Sequence, residues 1–290
     1  MSILKAQGLT YVYGEGTPFR IEAITDINFE ISSPGLYAVI GHTGSGKSTL
    51  IQHLNGLIKP TEGSVFVDGE DIWAKPENIR KIRFKVGLVF QYPEYQLFEE
   101  TVEKDIAFGP RNIGLSDEEI AERVAWAAKK VGMSPDLLKK SPFELSGGEK
   151  RRAAIAGVLA MRPRVLILDE PTAGLDPKGR DMLLNCVADY QKSENAVVLL
   201  VSHSMEDVAR VADNVLVMNK GKLKMFGKTA EVFSRQDELE AMGLAVPKVM
   251  QIMTRLRKMG ADLPDGIMTV KEAEKAVLRL LERRCKTDAQ

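Results

Sequence analysis

Gly41-His42-Thr43-Gly44-Ser45-Gly46-Lys47-Ser48 decides how this chain is read. Its glycines let the backbone wrap an anion, with successive amide N–H groups pointing inward. Lys47 adds a point charge at the β- and γ-phosphates of a nucleotide, and the Ser48 hydroxyl can ligate Mg²⁺. Before it, Leu36-Tyr37-Ala38-Val39-Ile40 is a β-rich apolar run. After it, Ser48-Thr49-Leu50-Ile51-Gln52-His53-Leu54 reads as a helix with its positive N-terminal end at the loop. Strand, phosphate-binding loop and helix in that order open an α/β fold. Gly41 to Thr49 are therefore candidate nucleotide-binding residues.

Outward from this point the chain alternates. Phe29-Glu30-Ile31 is a strand set off by the turn Ser32-Ser33-Pro34-Gly35, and Val65-Phe66-Val67 and Val86-Gly87-Leu88-Val89-Phe90 are further strands. From about Ser116 to Met161 the pattern is helical and charged, and Ser116-Asp117-Glu118-Glu119 has the spacing of a capping box. Val165-Leu166-Ile167-Leu168, Val197 to Val201 and Val215 to Met218 are uninterrupted apolar runs of the kind found in central parallel strands. A doubly wound parallel sheet follows. The division expected is a nucleotide-binding domain over 1–228, with a helical subdomain at about 92–161, and a helical appendage over 229–290.

A second acidic element lies at the end of an apolar run. Asp169 closes Val165 to Leu168, where a carboxylate can hold Mg²⁺ directly or through water. Glu170, one residue beyond, can polarise an attacking water as general base. Composition narrows the partners. Forty basic and forty acidic residues among 290 cancel, so no global field draws the protein onto nucleic acid. Cys186 and Cys285 lie far apart in no metal-ligand spacing, as suits two unpaired thiols in a reducing cytosol. The first residues lack the apolar core of a signal peptide, and the longest apolar run, Ala153 to Met161, is too short to cross a bilayer. Any membrane is reached through a partner.

Leu145-Ser146-Gly147-Gly148-Glu149-Lys150-Arg151 resembles the signature sequence of ABC ATPases, in its expected place between the phosphate loop and Asp169-Glu170. On residues alone this is also a Gly-Gly turn with Ser146 capping a helix. The resemblance implies a P-loop ABC cassette: a parallel-sheet core, a β-rich N-terminal part and a helical signature subdomain. It also implies two ATPases sandwiching two ATP molecules, with Ser146, Gly147 and Gly148 meeting the γ-phosphate held by the other subunit. By the same resemblance Gln91 senses Mg²⁺ and the attacking water, and the metal would rest on Ser48, Gln91 and Asp169. Asp176 lies in the loop that crosses the dimer interface, and His203 contacts the γ-phosphate. Tyr13 is similar to the aromatic residue that stacks on adenine; Tyr11 is its rival, and core packing fits either ring. Glu149 departs from the commoner glutamine, which puts in doubt an amide contact to the partner's ribose.

Gly41-His42-Thr43, Gln52 to Leu57 and Gln91-Tyr92-Pro93-Glu94-Tyr95-Gln96-Leu97-Phe98 narrow the resemblance to energy-coupling factor transporters. Thr17-Pro18-Phe19, Ser141 to Leu145 and Ala173 to Arg180 look like one of their two paralogous ATPases, the A-prime type. The family implies a peripheral subunit on the cytoplasmic face of the membrane, paired with a paralog or with itself. Its partners would be a transmembrane coupling subunit and a substrate-binding membrane subunit that admits vitamins or transition-metal ions. Tyr92 to Thr101 falls at the family's docking groove, with Tyr92, Tyr95, Leu97 and Phe98 as apolar contacts. In the appendage, Val249, Ile252, Met253 and Leu256 form one apolar stripe and Val270, Ala273, Ala276, Val277, Leu280 and Leu281 a second. They pack against the chain's own ATPase domain or hold the two ATPases together. A soluble ABC ATPase without a transport role is the competing class, but no coiled-coil heptads or second cassette support it.

Overall fold

The computed structural model describes residues 2–287, with side chains through Glu282. Cys285 falls outside the described side chains; Cys186 is buried and unpaired. The chain begins with β1 (Leu4–Tyr13) and β2 (Ile21–Ile31), then β3 (Gly35–Ile40), the phosphate loop and α1 (Lys47–Leu54). β4 (Glu62–Val67) and β5 (Glu70–Asp71) come next, and α2 (Ile79–Lys85) leads into β6 (Val86–Val89). A helical stretch follows: α3 (Val102–Ile113), α4 (Asp117–Lys130), α5 (Pro135–Leu138) and α6 (Gly147–Leu159). Then β7 (Val165–Asp169), α7 (Pro177–Glu194), β8 (Val197–Val201), α8 (Met205–Val211) and β9 (Asn214–Asn219) alternate. β10 (Lys222–Lys228) returns along β9, and α9 (Thr229–Ser234), α10 (Gln236–Ala241), α11 (Lys248–Lys258) and α12 (Val270–Thr287) complete the chain.

Two sheets result. One has the order β2-β1-β4-β5 with antiparallel pairing, and the other has the order β10-β9-β3-β8-β7-β6. Every pair in the larger sheet is parallel except β9 with β10. The apolar runs read as central strands occupy its middle, and their side chains alternate between two cores. Leu166, Leu168, Val198 and Leu200 face the helices α3, α4, α6 and α7. Val165, Ile167, Val197, Leu199 and Val201 face α1 and the antiparallel sheet. Burial on both faces is why these strands carry no polar alternation. Sequence reading found only the end of β2 and nothing of β1, and the ladders show why. Register shifts interrupt β1 between Ala6 and Leu9 and again up to Val12, so its inward residues never keep period two for long.

The capping box expected at Ser116 is present: the Ser116 hydroxyl accepts from the Glu119 N–H at 3.3 Å, and the Ser116 N–H donates to the Glu119 carboxylate at 2.9 Å. Packing at the C-terminal end divides differently from the boundary expected at 228–229. Val232, Phe233, Leu239, Leu244 and Val246 are buried together with Ala38 and Ile40 of β3 and Val215 and Val217 of β9. Among the described residues, α11 and α12 form a core of their own, around Met253, Leu263 and Ile267, with Val249, Leu256, Ala273, Ala276, Val277 and Leu280 against it. The two stripes thus meet each other, while Ile252, Val270 and Leu281 stay exposed. Among the described residues no helix is long and apolar enough to cross a membrane.

A chain ending at Val246 loses α11 and α12 but takes only the partly buried Met250 and Met268 from the β3-side core. Its urea midpoint is expected close to that of the full chain. A chain ending at Phe233 also loses Leu239, Leu244 and Val246. Each buried aliphatic residue removed costs about 2–5 kcal/mol, so its midpoint is expected to collapse.

Candidate functional site

Ile40 ends β3 in the middle of the large sheet, and the chain turns at once into Gly41. A Cβ on Gly41 would lie 2.3 Å from the Met218 carbonyl oxygen on β9, and one on Gly46, at φ +98°, 2.7 Å from the Ala23 carbonyl oxygen. Only glycine fits at either position. The Gly221 N–H donates to the Ser45 carbonyl at 3.1 Å, and the Thr25 N–H donates to the Gly221 carbonyl at 2.8 Å. The β9–β10 turn and β2 therefore brace the loop from outside. Lys47 is buried, and its ammonium donates to the carbonyls of Gly41 at 2.7 Å and His42 at 2.8 Å. Burial lowers its pKa, against the opposing pull of the Glu170 and Asp169 carboxylates.

Above the loop lies a cavity of about 660 Å³. Tyr13, Thr43, Gly44, Gly46, Lys47, Ser48 and Thr49 line it together with Gln91, Glu170 and His203. Asp169 ends β7 half-buried and shares a hydrogen bond with the Ser48 side chain. Burial raises its pKa and the adjacent Glu170 adds to the rise, which Lys47 and Ser48 only partly offset. Glu170 takes the left-handed conformation at φ +48°, with its N–H donating to the Val201 carbonyl at 3.0 Å. Its carboxylate is gripped on both sides: Gln91 Nε2 lies 3.3 Å from Oε2 and His203 Nε2 lies 2.6 Å from Oε1. Three residues distant in sequence thus converge on one point.

The tyrosines separate cleanly. Tyr13 lines the cavity with its hydroxyl 3.4 Å from Thr49 Oγ1. Tyr11 is half-buried in the core, its ring edge-on to Tyr13 at 4.8 Å and to the buried His53 at 4.7 Å. His42 contributes its carbonyl to Lys47, while its ring turns away and meets the Met242 carbonyl beyond α10. Ser146 caps α6 as expected, and Glu149 completes a capping box: the Ser146 N–H donates to its carboxylate at 2.8 Å and the Ser146 hydroxyl at 2.7 Å. Those bonds hold the Glu149 carboxyl below the usual range. Glu149 therefore has a local role, legible in the Ser-x-x-Glu spacing, which a glutamine could also fill.

The residues expected to bind nucleotide do not all share one cavity. Ser146, Gly147, Gly148 and Asp176 lie outside the one above the loop, and Gly148 and Asp176 line a separate cleft of about 310 Å³ between α6 and α7. Sequence reading also missed Ile21, Glu22, Ala23, Lys220 and Gly221 at the cavity. Lys220-Gly221 carries a turn signal, but nothing in the linear order says that this turn reaches the phosphate loop. Among the described residues no group of three or more His, Cys, Asp or Glu could hold a metal ion unaided. A cation here would rest on a mixed oxygen set.

The ABC transporter family profile matches residues 24–173. The chain is similar to the energy-coupling factor transporter ATP-binding protein EcfA2 of Clostridium acetobutylicum, 57% identical over 280 residues covering 96% of this chain and 98% of that protein. It is similar to cbiO1 from Clostridium perfringens, part of the ABC transporter complex cbiONQ, with a TM-score of 0.74. That match has 38% identity and covers 89% of this chain and 97% of the other. A dimeric post-hydrolysis structure of the ATP-binding cassette MJ0796 bound to ADP and Pi matches with a TM-score of 0.70 and 26% identity, over 78% of this chain and 98% of that one.

The raised pKa of Asp169 has a stability consequence. The folded chain disfavours its ionised form relative to the unfolded chain, so the group lowers stability at pH values above its folded pKa. That penalty fades as the pH falls through the folded pKa. Asp169→Asn is expected to melt higher than wild type at pH 7, with the gain shrinking on acidification. Calorimetric melts across that pH range check the sign.

Proposed function

The chain belongs to the ABC transporter family, among its energy-coupling factor ATP-binding proteins, and from that premise we propose how its residues divide the work of hydrolysing ATP to power transport. The observation that carries the reading is the Glu170 carboxylate, held between Gln91 and His203 at the wall of a cavity whose floor is the phosphate loop. The inward N–H groups from Gly41 to Ser48 cradle the phosphates, and Lys47 exchanges its carbonyl acceptors for β- and γ-phosphate oxygens. Tyr13, not the core-packed Tyr11, offers its ring to adenine beside Thr49. Glu170 accepts the proton of the attacking water, while Gln91 and His203 fix the orientation of its carboxylate. The hard oxygen donors of Ser48, Asp169 and Gln91 fit Mg²⁺; when bound, the ion supplies positive charge to the phosphate oxygens.

Ser146, Gly147, Gly148 and Asp176 point this chain toward a second ATPase, a paralog or a copy of itself, whose nucleotide they complete. Their separation from the chain's own cavity supports this, as does the similarity to a dimeric cassette. Between Tyr92 and Thr101, Tyr95 is 85% exposed and Phe98 60%. With Tyr92 they form the docking surface for the transmembrane coupling subunit on the cytoplasmic face. Leu97 takes no part, since it packs against the helical core. Through that subunit and a substrate-binding membrane subunit the pair drives uptake of vitamins or transition-metal ions. The cassette runs through Val246, and α11 with α12 is the appendage, whose exposed Ile252, Val270, Leu278 and Leu281 suit contact between the ATPases.

Glu170→Gln keeps the shape of the site and removes the base. In the assembled transporter its kcat is expected to fall by about 10²–10⁴-fold while equilibrium binding of ATP stays at the wild-type level. Hydrolysis at the wild-type rate would take the base role from Glu170. A chain carrying Tyr95→Glu and Phe98→Glu is expected to bind ATP normally yet fail to copurify with the membrane subunits. Undiminished copurification would exclude this surface as the docking site.

A further inference from the structure

Arg151 lies on α6 beyond the signature residues and is 5% exposed, yet the chemistry above gives it no part. Its guanidinium joins three segments. Nε donates to Glu94 Oε2 at 3.0 Å and Nη2 to Glu94 Oε1 at 2.8 Å, a bidentate pair with both partners largely buried. Nη1 donates to the Pro171 carbonyl at 3.4 Å and to the Ala173 carbonyl. On one side the ring centroid of Tyr92 lies 5.8 Å from the guanidinium carbon. Burial works against an ionised Glu94, but the bonds from Arg151 outweigh it and hold the carboxyl below its usual range.

Each segment held this way begins at a group of the site. Tyr92 and Glu94 follow Gln91, Pro171 and Ala173 follow Glu170, and α6 starts at the Ser146 cap. The clamp is also flanked by strain. Tyr92 at φ +56° and Glu170 at φ +48° are non-glycine residues in the left-handed region, one on each loop that Arg151 grips. Such conformations persist only where the surroundings impose them. A planar fork with five donors can impose them on both loops at once, which a lysine point charge cannot.

We propose that Arg151 is a positioning residue for hydrolysis: it locks the Gln91 and Glu170 loops together and ties both to the signature helix, so that a load on the exposed aromatic loop reaches the Glu170 carboxylate. This rests on the reading of Glu170 as the base. The bond from Gln91 Nε2 to Glu170 Oε2 is what the clamp holds in register, because both loops enter it immediately before their clamped residues. Arg151 touches no phosphate and no reacting atom in this role. Its effect lies on kcat.

The test uses the full chain assembled with its second ATPase and membrane subunits, in the variants Arg151→Lys, Arg151→Met, Glu94→Gln and the double Arg151→Met with Glu94→Met. Melting temperature, ATP affinity, KM and kcat are read for each. Arg151→Lys is expected to keep ATP affinity and KM and to lose about tenfold in kcat, the pattern of an interaction that matters only in the transition state. The double variant leaves no orphaned buried charge, so it should regain the melting temperature that Arg151→Met loses, without regaining kcat. Wild-type kcat in Arg151→Lys, or kcat recovering with stability in the double variant, would overturn the proposal. Glu170→Gln, run alongside, separates the two readings: collapse of its kcat beside an unimpaired Arg151→Lys removes only the role of Arg151, whereas wild-type turnover in Glu170→Gln removes the base itself.

Discussion

A lysine ammonium stripped of most of its water, bonded to two backbone carbonyls and facing two carboxylates, is the arrangement on which the rest depends. Such a charge is tolerable only where the backbone itself supplies acceptors, and Gly41 and His42 can do so only if the chain turns sharply off the end of β3. The turn in turn requires that nothing project from Gly41 toward β9, where the Met218 carbonyl stands too close for any side chain. The spacing of two neighbouring parallel strands therefore fixes the conformation of the loop. The sheet order follows the same need, since β3 lies between β9 and β8 and opens the loop at the carboxyl ends of the strands.

Around that charge the two acidic residues divide their environments. Asp169 completes its strand, half-buried and bonded through Ser48 to α1. Glu170 has left the strand in a left-handed step that swings its carboxylate to Gln91 and His203. Adjacent residues are thus sent to different tasks by one backbone dihedral. The strain is borne by the Glu170 N–H bonded to Val201 and by the carbonyls that follow it, both held by Arg151. Ser146, Gly147, Gly148 and Asp176 stand apart from this cavity, two of them at the cleft between α6 and α7.

How far the sequence could be read depends on the range of the forces involved. β7 and β8 were plain because burial on both faces leaves a continuous apolar run, whereas the shifted register of β1 erased its alternation. The phosphate loop, Asp169, Glu170 and the Ser146 cap are local devices, fixed by residues within a few positions of each other. Gln91, His203 and Tyr13 came from resemblance alone, because their meeting depends on sheet topology. The contacts of Arg151 with Glu94, and of Gly221 with Ser45, left no signal, although Lys220-Gly221 reads as a turn and Arg151 and Glu94 fall within recognised motifs. Their partners are far away in the chain, and an arginine on a helix reads as surface until the cleft that receives it is known. Leu97, sitting among exposed aromatics, was assigned to the surface for the converse reason.

The ring of His42 points away from the cavity and bonds the Met242 carbonyl, and the next residue, Gly243, sits at φ +69°, where any side chain is strained and its Cβ would fall 2.9 Å from the His42 Nε2. One residue of the loop thus has its carbonyl on Lys47 and its ring on the segment leading to the C-terminal helices. The phosphate loop and the segment after α10 are one mechanical unit. A residue other than glycine at position 243 would strain the backbone and displace the His42 ring from the Met242 carbonyl. Loop and tail therefore constrain each other as far as the Met242–Gly243 step, and the chain from α11 onward can change without disturbing the histidine.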